Sequence, residues 1–392
     1  MFLLTVSGLL LSFCVYTFLA GGLFALSWHA WQREEHLKVT KDKSLGFWSW
    51  ETVVAILFFA VVVGARYHTG YDHQMYMYQY LTYQKYGFFT RDFEPLFLCI
   101  TRFMAGNNYH SFFYFSFWAA VEIGFVIYVV NGHKKVTPWL LLFLVLGITL
   151  IHLMNTLRQG LVECSVPVLA LLMSRNRYMP SLALILVMCS LHYTAFFLLI
   201  LFLIRPRLCV GNRKIWISIF AFVVVLGLYP APIKSILKLS SPLISLLFNQ
   251  YDHLFSAFLK SNTVFTHVGP LRLIILFSQF AVIWFANDVC KHFTKQRRTL
   301  SVLFFLSMIY VLGTNLFYST TIFLQRPFEL FVVAYLVMLT YTFLYLFETK
   351  QKFWAGSLLV LNCSYIYIAI LKAIIWPTSV YVPVLFRFYF HL

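Results

Sequence analysis

The chain has 392 residues, of which 61% are hydrophobic and only 11% charged, and it carries a net charge of +17. Soluble domains run nearer half apolar and a quarter charged, so a soluble globular fold is excluded and a bilayer is the expected solvent. Nucleic acid is excluded as the reason for the positive charge, because Lys and Arg are dispersed in short loops instead of gathered in one stripe.

Apolar runs at 3–28, 47–65, 109–131, 137–154, 157–174, 215–229, 270–288, 299–318, 327–347 and 353–372 read as about 10 transmembrane helices. The expectation is an all-α polytopic membrane protein with one domain over 1–392. A β-barrel would show alternating segments of about ten residues instead. The first run has no Lys or Arg before it and is too long for a signal-peptide core, so it reads as a retained helix. Alternate loops then hold Arg33/Lys38/Lys41/Lys43, Lys134/Lys135, Arg175/Arg177, Arg205/Arg207/Arg213/Lys214, Lys291/Lys295/Arg297/Arg298 and Lys350/Lys352. The positive-inside rule assigns these loops to the cytoplasm and both termini to the outside.

The loop at 66–92 is the first on the outer side and opens with "RYHTGYDHQMYMYQY". There Asp72, Tyr76 and Tyr80 fall on one helical face at i, i+4 and i+8. An aspartate that opens a helix is commonly its cap, and capping and chemistry can coexist at Asp72. Residues 93–106, "FEPLFLCITRFMAG", are too short to span and fit a short outer-face helix with Pro95 in its first turn. Glu94 before it suits either the helix dipole or catalysis. Glu122 lies mid-span, where a carboxylate needs a partner, and reads as a packing residue. His152 reads as a hydrogen-bonded histidine near the outer end of its helix.

Residues 179–204 are one apolar run flanked by basic clusters that want the same face. A helical hairpin turning near "SLHYTA", with His192 at the turn, satisfies both; a straight span is the alternative. The segment 231–268 is the longest outer loop and suits an interfacial helix or lid. No internal repeat points to an inverted-repeat transporter.

Seven arginines run against the loop-charge rule: Arg66, Arg91, Arg102, Arg158, Arg272, Arg326 and Arg387. A guanidinium is a fork of donors that suits phosphate and stays charged when partly buried, so outer-side arginines suggest an anionic ligand. Headgroup contact and snorkelling account for Arg272 and Arg387. "YDH" occurs at 71–73 and 251–253, and with His68 these residues offer metal ligands. Loop histidines are usually solvated, so no metal and no cofactor is assigned. The seven cysteines are scattered, without a disulfide or zinc pattern.

Arg66-x3-Gly70-x-Asp72-x3-Tyr76-x3-Tyr80 followed by "FEPLF" at 93–97 resembles the opening signature of EpsG-like, Wzy-type polysaccharide polymerases. "NTLRQGL" (155–161) resembles that family's Arg-Gln segment, "LHYTAFF" (191–197) its His-x-Ser/Thr segment, and "FLQRPFE" (323–329) a later outer-face arginine. Tyr71 departs from the signature, which more often has a small or polar residue there. The Gly160 and Glu163 context departs too, and both leave sugar specificity open.

The resemblance implies a glycosyltransferase on the periplasmic face of the bacterial inner membrane. It would join oligosaccharide repeat units of O-antigen, capsule or exopolysaccharide carried on undecaprenyl pyrophosphate. Its partners would be that lipid-linked saccharide, the bilayer and, in some systems, a chain-length regulator. On this reading Arg158, with Gln159 beside it, and Arg326 bind donor pyrophosphate, while Arg66 and Arg91 hold a second phosphate or organise the loop. Asp72 is the first choice for general base, ahead of Glu94 and His192, and Tyr76 and Tyr80 stack on sugars or simply pack. The rival readings are an O-antigen-ligase-type transferase, which would use the same arginines, and a lipid-saccharide flippase, which would need polar residues through the whole membrane depth.

Overall fold

The computed structural model describes residues 2–40, 44–67, 69–70, 72–203, 210–239, 268–319, 322–375 and 384–387. Their elements are helical because a long apolar stretch away from water satisfies its amides only within a helix. Polar side chains inside these helices are satisfied the same way. Ser12 Oγ donates to Gly8 O at 2.6 Å, Ser307 Oγ to Leu303 O at 2.6 Å and Thr340 Oγ1 to Leu336 O at 2.8 Å, each one turn back.

In chain order the helices are α1 (Phe2–Thr40), α2 (Trp50–Gly64), α3 (His73–Tyr86), α4 (Pro95–Gly106), α5 (Ser111–Val130) and α6 (Thr137–Leu146). Then come α7 (Ile148–Asn155), α8 (Leu157–Ser174), α9 (Tyr178–Leu191), α10 (Ile200–Leu203), α11 (Arg213–Leu228) and α12 (Pro230–Leu239). The chain closes with α13 (Pro270–His292), α14 (Arg297–Leu316), α15 (Ile322–Glu329), α16 (Val332–Glu348) and α17 (Lys352–Ile375). Among the described residues, six helical runs are long and apolar enough to cross a membrane: α1, α5 continuing into α6, α8, α13, α14 and α17. Shorter apolar helices, α2, α4, α9 and α16, stand beside them. The α5–α6 run is bent at His133 (φ −144°, ψ 67°) inside the 3-10 turn Asn131–Val136. Close helix contacts rest on small residues: a Cβ on Gly64 of α2 would collide with Ser116 of α5.

The bundle has two distinct ends. At one end the basic loops converge: Lys134 Nζ donates to Gly46 O at 3.4 Å, Ser174 Oγ meets Thr299 Oγ1 at 2.8 Å, and Lys135 and His292 both reach Glu348, at 2.5 and 2.6 Å. At the other end the loop after α2 is held by the C-terminal segment. The Tyr67 amide donates to Arg387 O at 2.7 Å, the Phe386 amide to Ser12 Oγ at 2.8 Å and Tyr16 Oη to Val384 O at 2.8 Å. Gly70 (φ +94°) lies against Met154 O, where a Cβ would collide, so only glycine permits both the turn and the approach.

Helix breaks gather at this second end. The run expected as one helix over 137–154 is interrupted at Gly147 (φ −85°, ψ −166°), and Thr156 (φ −130°, ψ 55°) separates α7 from α8. The run expected over 327–347 is split between α15, which carries Pro327 and ends at Glu329, and α16, which starts at Val332. The third break is His192, extended at φ −158°, ψ 120°. After it the 3-10 segment Tyr193–Leu199 and α10 return along α9, and the Phe202 ring comes within 6.5 Å of the Tyr178 ring where α9 began. The lengths match: 14 residues of α9 out, then seven of the tighter 3-10 helix and four of α10 back, about 20 Å each way. Most of the expected outer loop at 231–268 (240–267) lies outside the described residues, as do Tyr71, His68 and 251–253. Irregular backbone at membrane depth is tolerated where protein or a water-filled cavity surrounds it, so the breaks gathered at one end make that end the candidate site.

Candidate active site

α8 starts at Leu157 because Thr156 is non-helical, which puts Arg158 and Gln159 in its first turn. Consecutive helical residues project about 100° apart, so these two side chains enter different layers.

Arg158 turns towards the rim. Its Nη1 donates to Glu94 Oε2 and its Nε to Tyr76 Oη at 3.1 Å. The guanidinium sits 4.9 Å from the Phe93 ring centre and 5.6 Å from that of Phe97, aromatic faces that attract a cation. Glu94 Oε1 accepts from His192 Nδ1 at 2.8 Å and from the Tyr193 amide at 3.1 Å. One carboxylate thus joins α4, α8 and the turn after α9. Pro95 at the first position of α4 keeps Glu94 extended (φ −64°, ψ 149°), and the side chain makes no cap bond to its own helix. Its dipole role gives way to cross-linking.

Burial alone would raise the Glu94 carboxyl, but the His192 hydrogen bond and the Arg158 charge outweigh it and hold it down at about 2. Burial lowers His192, which favours the neutral ring at neutral pH. Because a carboxylate only accepts, Nδ1 carries the proton and Nε2 keeps a lone pair.

Asp72 stands at the N-cap position of α3, yet its side chain makes no cap bond. Burial raises its carboxyl despite the opposing fields of Arg326, Arg158 and Arg91. Two carboxylates at one site are therefore tuned apart, Glu94 a weak base and Asp72 a stronger one.

Gln159 turns inward. Its Nε2 donates to Glu163 Oε1 at 2.9 Å and to the carbonyl of Arg326 at 3.3 Å. His152 Nε2 donates to the same Glu163 oxygen at 2.8 Å. Glu163 is fully enclosed, and Glu329 lies close enough to act electrostatically on it. This layer fixes the backbone of α15, from which the Arg326 side chain is exposed.

Other expected site residues lie elsewhere. Arg66 is buried, 5.7 Å from the Phe115 ring centre and within the electrostatic reach of Glu122, so it organises the loop instead of meeting the rim cluster. Tyr80 is fully enclosed: its Oη donates to Tyr109 O at 2.7 Å and its ring packs 4.6 Å from Tyr114, leaving no face for a sugar. Tyr76 is buried with its hydroxyl committed to Arg158. Arg91 is exposed on the loop beside the cluster. Arg272 does not snorkel; it donates to Asn315 Oδ1 and lies 3.9 Å over the Tyr318 ring. The His152–Glu163 pair carried one signal in the sequence, a carboxylate inside an apolar run, which implies a partner. Nothing in the sequence named that partner.

No curated protein and no solved structure matches the chain. A match to the EpsG family covers residues 50–383, which takes in Asp72, Glu94, Arg158, His192 and Arg326. With its apolar helices this is a multi-pass membrane protein of polysaccharide biosynthesis, and the chain belongs to the EpsG family, the family of Wzy-like polysaccharide polymerases.

Proposed function

We propose that the chain polymerises oligosaccharide repeat units carried on undecaprenyl pyrophosphate at the periplasmic face of the bacterial inner membrane. The observation that carries this reading is the Glu94 carboxylate, which ties Arg158 to His192 beside an uncommitted Asp72 at the end opposite the basic loops. The basic loops mark the cytoplasmic side by the loop-charge rule.

In the reaction a sugar hydroxyl of the incoming unit attacks the anomeric carbon of the growing chain. The bond from that carbon to the pyrophosphate oxygen breaks, and lipid pyrophosphate leaves with the electron pair. Asp72, raised by burial, takes the hydroxyl proton. Arg158 and Arg326 face the charge that develops on the departing pyrophosphate, and Arg91 adds to it from the loop. Glu94 is too weak a base to compete; it fixes the Arg158 fork and the His192 ring. Gln159 holds the Arg326 backbone from below.

The test is reconstitution of the purified chain in vesicles with an undecaprenyl-pyrophosphate repeat unit. Wild type is expected to give a ladder of oligomers, with or without EDTA because the arginines supply the cationic charge, and Arg158→Ala only the single unit. A normal ladder from Arg158→Ala would overturn the assignment. Transfer solely to a non-lipid-linked acceptor would identify a ligase instead.

A further inference from the structure

A cavity of about 540 Å³ opens at the basic end, on the far side of the bundle from Arg158. Arg175, Lys295 and Arg298 line it together with His133, while Tyr128, Val129 and Leu171 give it accessible apolar surface. No Asp or Glu is among its lining residues. The loop-charge rule accounts for cations at this end but not for three of them lining one cavity. Three other cations on the same end are paired: Arg33 with Glu51 at 2.9 Å, Lys38 with Glu35 at 2.7 Å and Lys135 with Glu348 at 2.5 Å. Among the described residues, Arg175, Lys295 and Arg298 have no such ion pair, and all three are exposed. Arg298 also lies in the first turn of the 20-residue helix α14, so the positive end of that dipole adds to the field.

We propose that this cavity is a phosphate-binding site, separate from the rim cluster, that takes a phosphate ester with an attached apolar portion. Three cations of which two are arginines match the charge and donor geometry of a phosphate. The apolar wall of Tyr128, Val129 and Leu171 matches an acyl or comparable hydrocarbon segment. The same chemistry is offered by an anionic lipid headgroup or by a soluble phosphate.

Equilibrium binding to the full chain in a non-ionic detergent separates them, with dioctanoyl phosphatidic acid, dioctanoylglycerol and inorganic phosphate as probes. Phosphatidic acid is expected to bind and dioctanoylglycerol not to. Arg175→Gln with Arg298→Gln should weaken phosphatidic acid at least about tenfold, while Arg158→Ala leaves it unchanged. Phosphatidic acid binding without inorganic phosphate would name a lipid. Inorganic phosphate binding measurably but more weakly would admit a soluble phosphate ester, and inorganic phosphate binding as tightly would overturn the apolar part of the proposal. Equal binding of dioctanoylglycerol, unchanged binding in the double variant with an unaltered melting temperature, or no binding of either phosphate probe would each overturn the proposal.

Discussion

Arg158 and Gln159 are neighbours in the chain, and each feeds a cluster of one glutamate and one histidine. Around Arg158 the partners, Glu94 and His192, keep 11% and 12% of their side-chain surface exposed. Around Gln159 the glutamate, Glu163, keeps none, while its partner His152 keeps 16%. The difference separates two tasks. A carboxylate that must act on a substrate has to remain reachable, whereas a fully enclosed one, like Glu163, can only fix the side chains and backbone around it. One turn of helix, entered after a break at Thr156, supplies both.

The largest expected effect falls on the rim. Arg158→Ala should lower polymer formation by about 10³-fold, since a donor aimed at developing charge is worth that much. Densitometry of the oligomer ladder checks it. Asp72→Asn should cost about 10²-fold if Asp72 is the base. His192→Gln should cost less, and the reverse ranking in single-turnover rates would move the base to His192 Nε2.

Acid should reach the rim before the buried layer. Glu94 is held at about 2 against an ordinary 4.5, so its contribution to stability is complete above 4.5 and is lost as pH falls towards 2. His192, lowered from 6.5, acts in the same direction: the fold favours its neutral form, so stability falls on acidification below 6.5. Melting temperatures of detergent-solubilised protein should therefore drop in acid, and Glu94→Gln should flatten the part below 4.5.

The buried layer should respond in stability more than in rate. Glu163→Leu leaves the His152 and Gln159 donors without their acceptor, at a cost of about 1–3 kcal/mol. Turnover per folded molecule should fall far less than in Arg158→Ala; an equal loss would erase the distinction between the layers. The smallest effect is expected at Tyr80→Phe, which removes one hydrogen bond to Tyr109 O and should lower stability by about 1 kcal/mol with turnover intact.

Much of the bundle was legible in order because apolar runs announce helices and loop charge sorts their ends. The basic loops do meet at one end, through Lys134, Lys135, Ser174 and Glu348. The clash of basic clusters around 179–204 pointed to the turn at His192. Helix length was less legible: apolarity does not fix where a run breaks, and 137–154 and 327–347 are each interrupted. The candidate site residues were named in the sequence, with two roles left open for several of them. Arg66 and Tyr80 share the motif with Asp72, but burial gives them to packing.

The sequence by itself determined a membrane protein, its family resemblance and which residues stand at the end away from the basic loops, because these depend on composition, order and local spacing. Only the tertiary structure decided that Glu94 bonds Arg158, 64 residues away, and His192, 98 residues away. It also decided that Asp72, at the cap position, is not used as a cap. Whether a carboxylate is a cap, a clamp or a base depends on which donors reach it and how much water is left, and both are set by contacts between helices distant in the chain.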